Sequence, residues 1–203
     1  MATEKPINDL TLTPATTALL VMDYQTTIVE RFSGGAAGLT TRVAGVIASA
    51  RESGVRVIYI VVGFRPGYPE VSPRNLSFKT LRASNSFAAS SAGIEIHREL
   101  APREDEVVVT KHRVSGFHGT DLDMILHANG IETLVMMGIA TSGVVLSTLR
   151  QAADADYSCV VVKDGCADLD AEVHRVLTEK VFPRQAKVVT FEDVVVAMRR
   201  PMP

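Results

Sequence analysis

Six short apolar runs, rich in β-branched residues, recur along the chain at residues 17–22, 55–62, 107–110, 133–137, 157–162 and 186–190. Runs that are apolar throughout, rather than at every second position, belong to strands covered on both faces. Between them the apolar residues fall at helical spacing: Val43, Val46, Ile47 and Ala50, then Leu122, Ile125 and Leu126, then Val173, Val176, Leu177 and Val181. Strand and helix alternate, and helical crossovers join parallel neighbours. The pattern predicts an α/β fold, a three-layer α/β/α doubly wound parallel sheet of Rossmann-like type, in a single domain over residues 1–203.

Local signals agree with these boundaries. Gly54 closes the first helix, Thr120 with Asp123 resembles a capping box, Asn129-Gly130 ends that helix, and Asp170 is placed to cap the helix after the fifth run. One stretch breaks the rhythm. Residues 63–93 hold Pro66, Pro69 and Pro73 with Arg65, Arg74, Lys79 and Arg82, a polar excursion of the length used for lids, binding loops or oligomer contacts.

A chain of 203 residues can bury about 70% of its extended surface without a disulfide or metal to staple it. Cys159 and Cys166 are too few for a disulfide framework, and residues 1–9 lack a basic segment followed by an apolar one. No apolar run approaches the roughly 18 residues of a membrane span. These features point to the cytoplasm. Lys and Arg total 21 against 23 Asp and Glu, a net charge of −2 with no basic stripe, so neither nucleic acid nor a membrane is expected as a partner.

In a doubly wound sheet, ligands bind beyond the carboxyl ends of the strands. Asp23 follows the first run and Lys111 the third, although a single strand-end charge ordinarily marks only where the chain meets water. The fourth run leads into Gly138-Ile139-Ala140-Thr141-Ser142-Gly143-Val144, where small residues let a helix start approach an anionic group. Arg113 and Phe117, shortly after Lys111, should follow the same crevice rim, with packing beneath the next helix the alternative for Phe117. Arg65 and Arg82 are carboxylate-clamp candidates or solvated charges. Ser142 and Ser147 are read as a helix N-cap and helix filling rather than nucleophiles.

His97, His112, His118, His127 and His174 show no paired ligand spacing, so no metal and no other cofactor is expected. The Gly34-Gly35-Ala36-Ala37-Gly38 run does not directly follow the first strand, as a dinucleotide fingerprint must, and reads as a loop.

Taken together, the run Ala18-Leu19-Leu20-Val21-Met22-Asp23-Tyr24-Gln25, Lys111, Thr120-Asp121-Leu122, Gly138-Ile139-Ala140-Thr141, Ala167-Asp168 and His174 resembles the isochorismatase-like hydrolases of the cysteine hydrolase superfamily. The resemblance implies six strands in the order 3-2-1-4-5-6, with the first and fourth side by side at the switch point. It implies Asp23 and Lys111 as catalytic residues; Gln25, Ile139, Ala140 and Gly143, together with Arg113 and Phe117 of the rim, are the expected substrate-binding ones. It also implies a non-proline cis peptide at Ile139-Ala140, and a homo-oligomer, most simply a dimer. Amidase members carry a nucleophilic cysteine six residues beyond the position of Gly138, which here is Val144. The isochorismatases proper also lack that cysteine and cleave a vinyl ether by protonation. The expectation is therefore a hydrolase of a small carboxylated metabolite, with Asp23 as general acid and no covalent cysteine intermediate. The alternative is an impaired pseudoenzyme that binds a metabolite or partner.

Overall fold

The computed structural model describes residues 10–32, 38–88 and 94–199. Residues 34–37 of the glycine-rich run and 89–93 of the excursion lie outside the described residues.

Six parallel strands form one sheet: β1 (Thr17–Met22), β2 (Arg56–Val62), β3 (Val107–Lys111), β4 (Thr133–Gly138), β5 (Ser158–Val162) and β6 (Lys187–Val189). Their spatial order is β3-β2-β1-β4-β5-β6, as expected. Every residue of β1 is buried, in keeping with a central strand covered on both sides. In register, Met22 of β1 stands opposite Ile60 of β2 and Gly138 of β4.

The helices are α1 (Thr26–Phe32), α2 (Leu39–Ser53), α3 (Leu76–Ala83), α4 (Leu122–Ala128), α5 (Leu146–Asp154), α6 (Ala171–Val176) and α7 (Phe191–Arg199). Strand alternation places them in two layers. The Tyr59 hydroxyl meets Arg51 of α2, whereas Ile60, on the opposite face, lies against Gly116 and the α4 residue Leu122. Helix α7 packs beside α2. No helix among the described residues is long and apolar enough to cross a membrane.

The expected caps are partly present. Gly54 ends α2 at φ 77°, and the Asp170 carboxylate accepts from the Glu172 and Val173 N–H groups at the start of α6. At α4 the capping box is corrected. The Thr120 hydroxyl accepts from Leu122 N, but Asp123 instead accepts from the Tyr157 hydroxyl. The helical pattern through Val181 is also interrupted, because α6 passes into a π-helical turn over Leu177–Val181.

Helix α3 lies within the excursion, where sequence reading found only a loop. Asn75 caps it by accepting from Phe78 N, and Phe78 packs with Val62, Phe64, Tyr68, Val71 and Ala88 in a small second core. The excursion thus has apolar packing of its own, set against the carboxyl edge of the sheet where β2 ends at Val62.

Candidate active site

The switch point between β1 and β4 builds the floor of the site. Asp23 still donates its N–H to Ile60 O at 2.8 Å, but its φ of 58° turns the chain out of the strand immediately afterwards. On the other side, Ile139 N donates to Met22 O and Thr141 N donates to Ala167 O, so the turn after β4 is held by both flanking segments. Gly138 is required by this approach. A Cβ there would lie 2.9 Å from both Cβ and O of Met22. The Ile139-Ala140 peptide is cis, as expected.

Asp23 and Lys111 come together. Lys111 Nζ is 2.8 Å from Asp23 Oδ2 and also donates to Arg113 O at 3.2 Å. Both are buried, Asp23 at 6% and Lys111 at 3% exposure. The second carboxylate oxygen, Oδ1, is buried and has no hydrogen-bond partner. Burial raises the Asp23 pKa above the ordinary carboxylate value, and the charge and hydrogen bond of Lys111 pull against that rise.

These two residues line a cavity of about 770 Å³. Its floor is Ile139, Ala140, Gly143 and Val144, and one wall is the α1 face carrying Thr27, Ile28, Arg31 and Phe32. The facing wall comes from the excursion, with Phe78, Thr80 and Leu81 of α3 followed by Ser84 to Phe87. The lining is mostly apolar, with a few polar groups, as small-molecule sites are.

Three expected substrate contacts are not among the residues that line this cavity. Gln25 is fully buried, and its amide clamps the end of β2, donating to Val62 O at 2.9 Å and accepting from Val62 N at 2.8 Å. Arg113 donates to His112 O and Glu70 O and stacks 5.9 Å over the Phe78 ring, so it buttresses the wall from outside. Phe117 packs in the main core, 6.1 Å from the Tyr157 ring. Neither proposed clamp in the excursion reaches the cavity either: Arg65 pairs with Glu70 at 2.6 Å, and Arg82 is exposed outside the lining. Ser142 does not cap with its side chain; its N–H is itself capped by Asp168 Oδ2 at 2.7 Å.

Sequence reasoning missed the α1 and α3 walls. The α1 signal was available, since residues 27, 28, 31 and 32 share one helical face directly after Asp23.

The family model described as the isochorismatase domain matches residues 17–193. The chain belongs to the isochorismatase family. It is 30% identical to an uncharacterized isochorismatase family protein, YecD, of Escherichia coli O157:H7, covering 93% of this chain and 100% of that one. It is 32% identical to the ureidoacrylate amidohydrolase RutB of Methylobacterium radiotolerans, covering 91% and 81%. Among solved structures, N-carbamoylsarcosine amidase from Thermoplasma acidophilum superposes with a TM-score of 0.72 at 29% identity, over 87% of this chain and 97% of that one. This isochorismatase-family chain is accordingly a hydrolase-family α/β domain, with its cavity at the switch point between β1 and β4.

Beneath the floor, the Thr141 hydroxyl and His174 Nδ1 share a hydrogen bond of 2.8 Å. Burial holds the His174 imidazole below its usual pKa, against the opposing pull of Asp168. A folded-state value below the unfolded one means that the unfolded chain binds the proton more readily. The stability from neutral His174 is therefore complete above about pH 6.5 and is lost as pH falls through the lowered folded value. Thermal melts at pH 7.5 and 5.5 should show a smaller loss for His174→Gln than for wild type. Equal losses would remove His174 as the group responsible.

Proposed function

We propose that the protein hydrolyses a small carboxylated metabolite by proton transfer from Asp23, with no covalent intermediate on the enzyme. The observation that carries this reading is the state of the Asp23 carboxyl: Oδ2 is engaged by Lys111, while Oδ1 is buried without a partner in a residue that lines the cavity. Oδ1 is the oxygen free to carry a transferable proton, and burial favours that protonated form.

For a vinyl ether of the enolpyruvyl type, Asp23 gives its proton to the terminal methylene carbon, making a methyl group and an oxocarbenium ion. Water adds to the cationic carbon and loses a proton, which restores the acid. The hemiketal then breaks its C–O bond, releasing an alcohol and a 2-oxo acid. Lys111 holds Asp23 in place throughout by its bond to Oδ2.

Val144 argues against the thiol route. It occupies the position where the resemblance puts the cysteine of amidase members, and an isopropyl group cannot attack a carbonyl. Cys159 and Cys166 do not line the cavity, and burial pushes their thiols up to about 11 and about 12, far from the thiolate a nucleophile needs. Val144 also favours a second reading, a pseudoenzyme that binds without turnover, because its buried side chain fills the floor beside Gly138.

The test is turnover of isochorismate set against a panel of simple amides, ureido acids included because of the relatives' names. The acid mechanism predicts release of a 2-oxo acid from the vinyl ether and no amide cleavage. Amide cleavage would overturn it, and binding without turnover of any member would favour the pseudoenzyme.

A further inference from the structure

Among the described residues, three ionisable side chains line the cavity: Asp23, Lys111 and Arg31. Lys111 Nζ is engaged by Asp23 Oδ2 at 2.8 Å and by Arg113 O at 3.2 Å. The Arg31 side chain makes no hydrogen bond and no ion pair with any described residue. Several arginines elsewhere are engaged, Arg51 with Glu106 and Arg113 with two carbonyls, for example, and others are solvated on the surface. Arg31 is exposed too, but it is the arginine that lines the cavity holding Asp23 and Lys111.

Arg31 is therefore the cationic side chain of this lining whose donors no described residue engages. It sits one helical turn beyond Thr27 and Ile28 and next to Phe32, in a lining that also includes Phe78 and Phe87. We propose that Arg31 is the specificity-determining residue of this cavity, holding the carboxylate of an aromatic or alicyclic acid whose apolar body lies among Phe32, Phe78 and Phe87. This rests on the reading of the cavity as the active site and names the residue that selects its substrate.

Charge and shape both favour a carboxylate over other anions. A guanidinium meets a carboxylate through two parallel N–H···O bonds. A phosphate dianion would call for a second cation, and Lys111 is already committed to Asp23 and Arg113 O. The three rings offer flat apolar surface for a ring or a conjugated chain, and leave the Asp23 end of the cavity to the reacting group.

The test uses binding alone, so it does not depend on whether Asp23 acts as an acid. Wild type, Arg31→Gln and Arg31→Lys are titrated calorimetrically with 3-phenylpropanoate and with the matching amide, 3-phenylpropanamide. Wild type should bind the carboxylate about tenfold more tightly than the amide. Arg31→Gln should abolish that preference by weakening the acid alone, and Arg31→Lys should keep part of it.

Equal affinities in wild type, or no binding of the acid at millimolar concentration, would overturn the proposal. So would a preference that persists in Arg31→Gln; if that preference then vanished in Lys111→Met, the carboxylate would belong at the floor. Failure of acid catalysis would show instead as unchanged turnover in Asp23→Asn, with these affinities untouched.

Discussion

Replacing Lys111 by Met is expected to destabilise the folded chain by roughly 3–5 kcal/mol at pH 8, the cost of removing one partner of a buried ion pair. Methionine matches the length of the lysine stem, so little packing is lost and the effect isolates the charge. Lys111 is 3% exposed and lies 2.8 Å from an Asp23 carboxylate whose other oxygen has no partner. Without the ammonium, burial acts on Asp23 unopposed and its folded-state pKa rises further above the ordinary carboxylate value. A carboxyl raised in the folded state contributes stability that is fully present below the unfolded value and is lost as pH rises through the folded one. The Lys111→Met deficit should therefore shrink on acidification, and adding Asp23→Asn should recover much of it, because the two residues act as one unit. Urea unfolding at pH 5 and pH 8 reads both effects. A deficit under about 1 kcal/mol at pH 8 would mean that the pair behaves as a hydrated surface contact.

The second large effect concerns turnover. Asp23→Asn keeps the shape of the side chain and an oxygen to accept from Lys111 Nζ, but it has no acidic proton to give. Loss of a positioned general acid lowers kcat by about 10²- to 10⁴-fold. KM should change little, because the lost interaction belongs to the transition state. Arg31→Gln should do the reverse, raising KM for a carboxylated substrate while leaving kcat nearly intact. The two variants separate proton transfer from substrate selection, and a matched loss in both parameters for each would show that this division is wrong.

The fold could be read from the sequence because its signal is repeated. Six apolar runs separated by helical periods leave few alternatives to a covered parallel sheet, whereas the strand order came from the family resemblance rather than from any spacing. Asp23 and Lys111 were legible because strand ends converge on one edge whatever lies between them. Gln25 lies off the cavity lining for a local reason. The positive φ at Asp23 ends the strand's alternation, so the side chain two residues on turns inward to β2 instead of toward the cavity. Arg113 lies off the lining because its guanidinium donates to the carbonyls of His112 and Glu70.

The α3 wall was hidden by the three prolines before it. Pro66, Pro69 and Pro73 all precede the Asn75 cap, and the eight-residue helix that follows contributes a single side chain, Phe78, to the buried set. A helix that short leaves almost no period in the sequence. Arg31 was overlooked in favour of the more numerous arginines of the excursion, although its helical face is the one that continues from Asp23.

Isotopic labelling of the product reads directly whether Asp23 delivers a proton to carbon. In D2O the Asp23 proton exchanges with solvent, so cleavage of an enolpyruvyl ether should place one deuterium in the methyl group of the released 2-oxo acid at early turnover. Asp23→Asn should form that labelled product at least about 10²-fold more slowly. A product methyl without deuterium, or a substrate fragment found covalently attached to the protein, would contradict the mechanism.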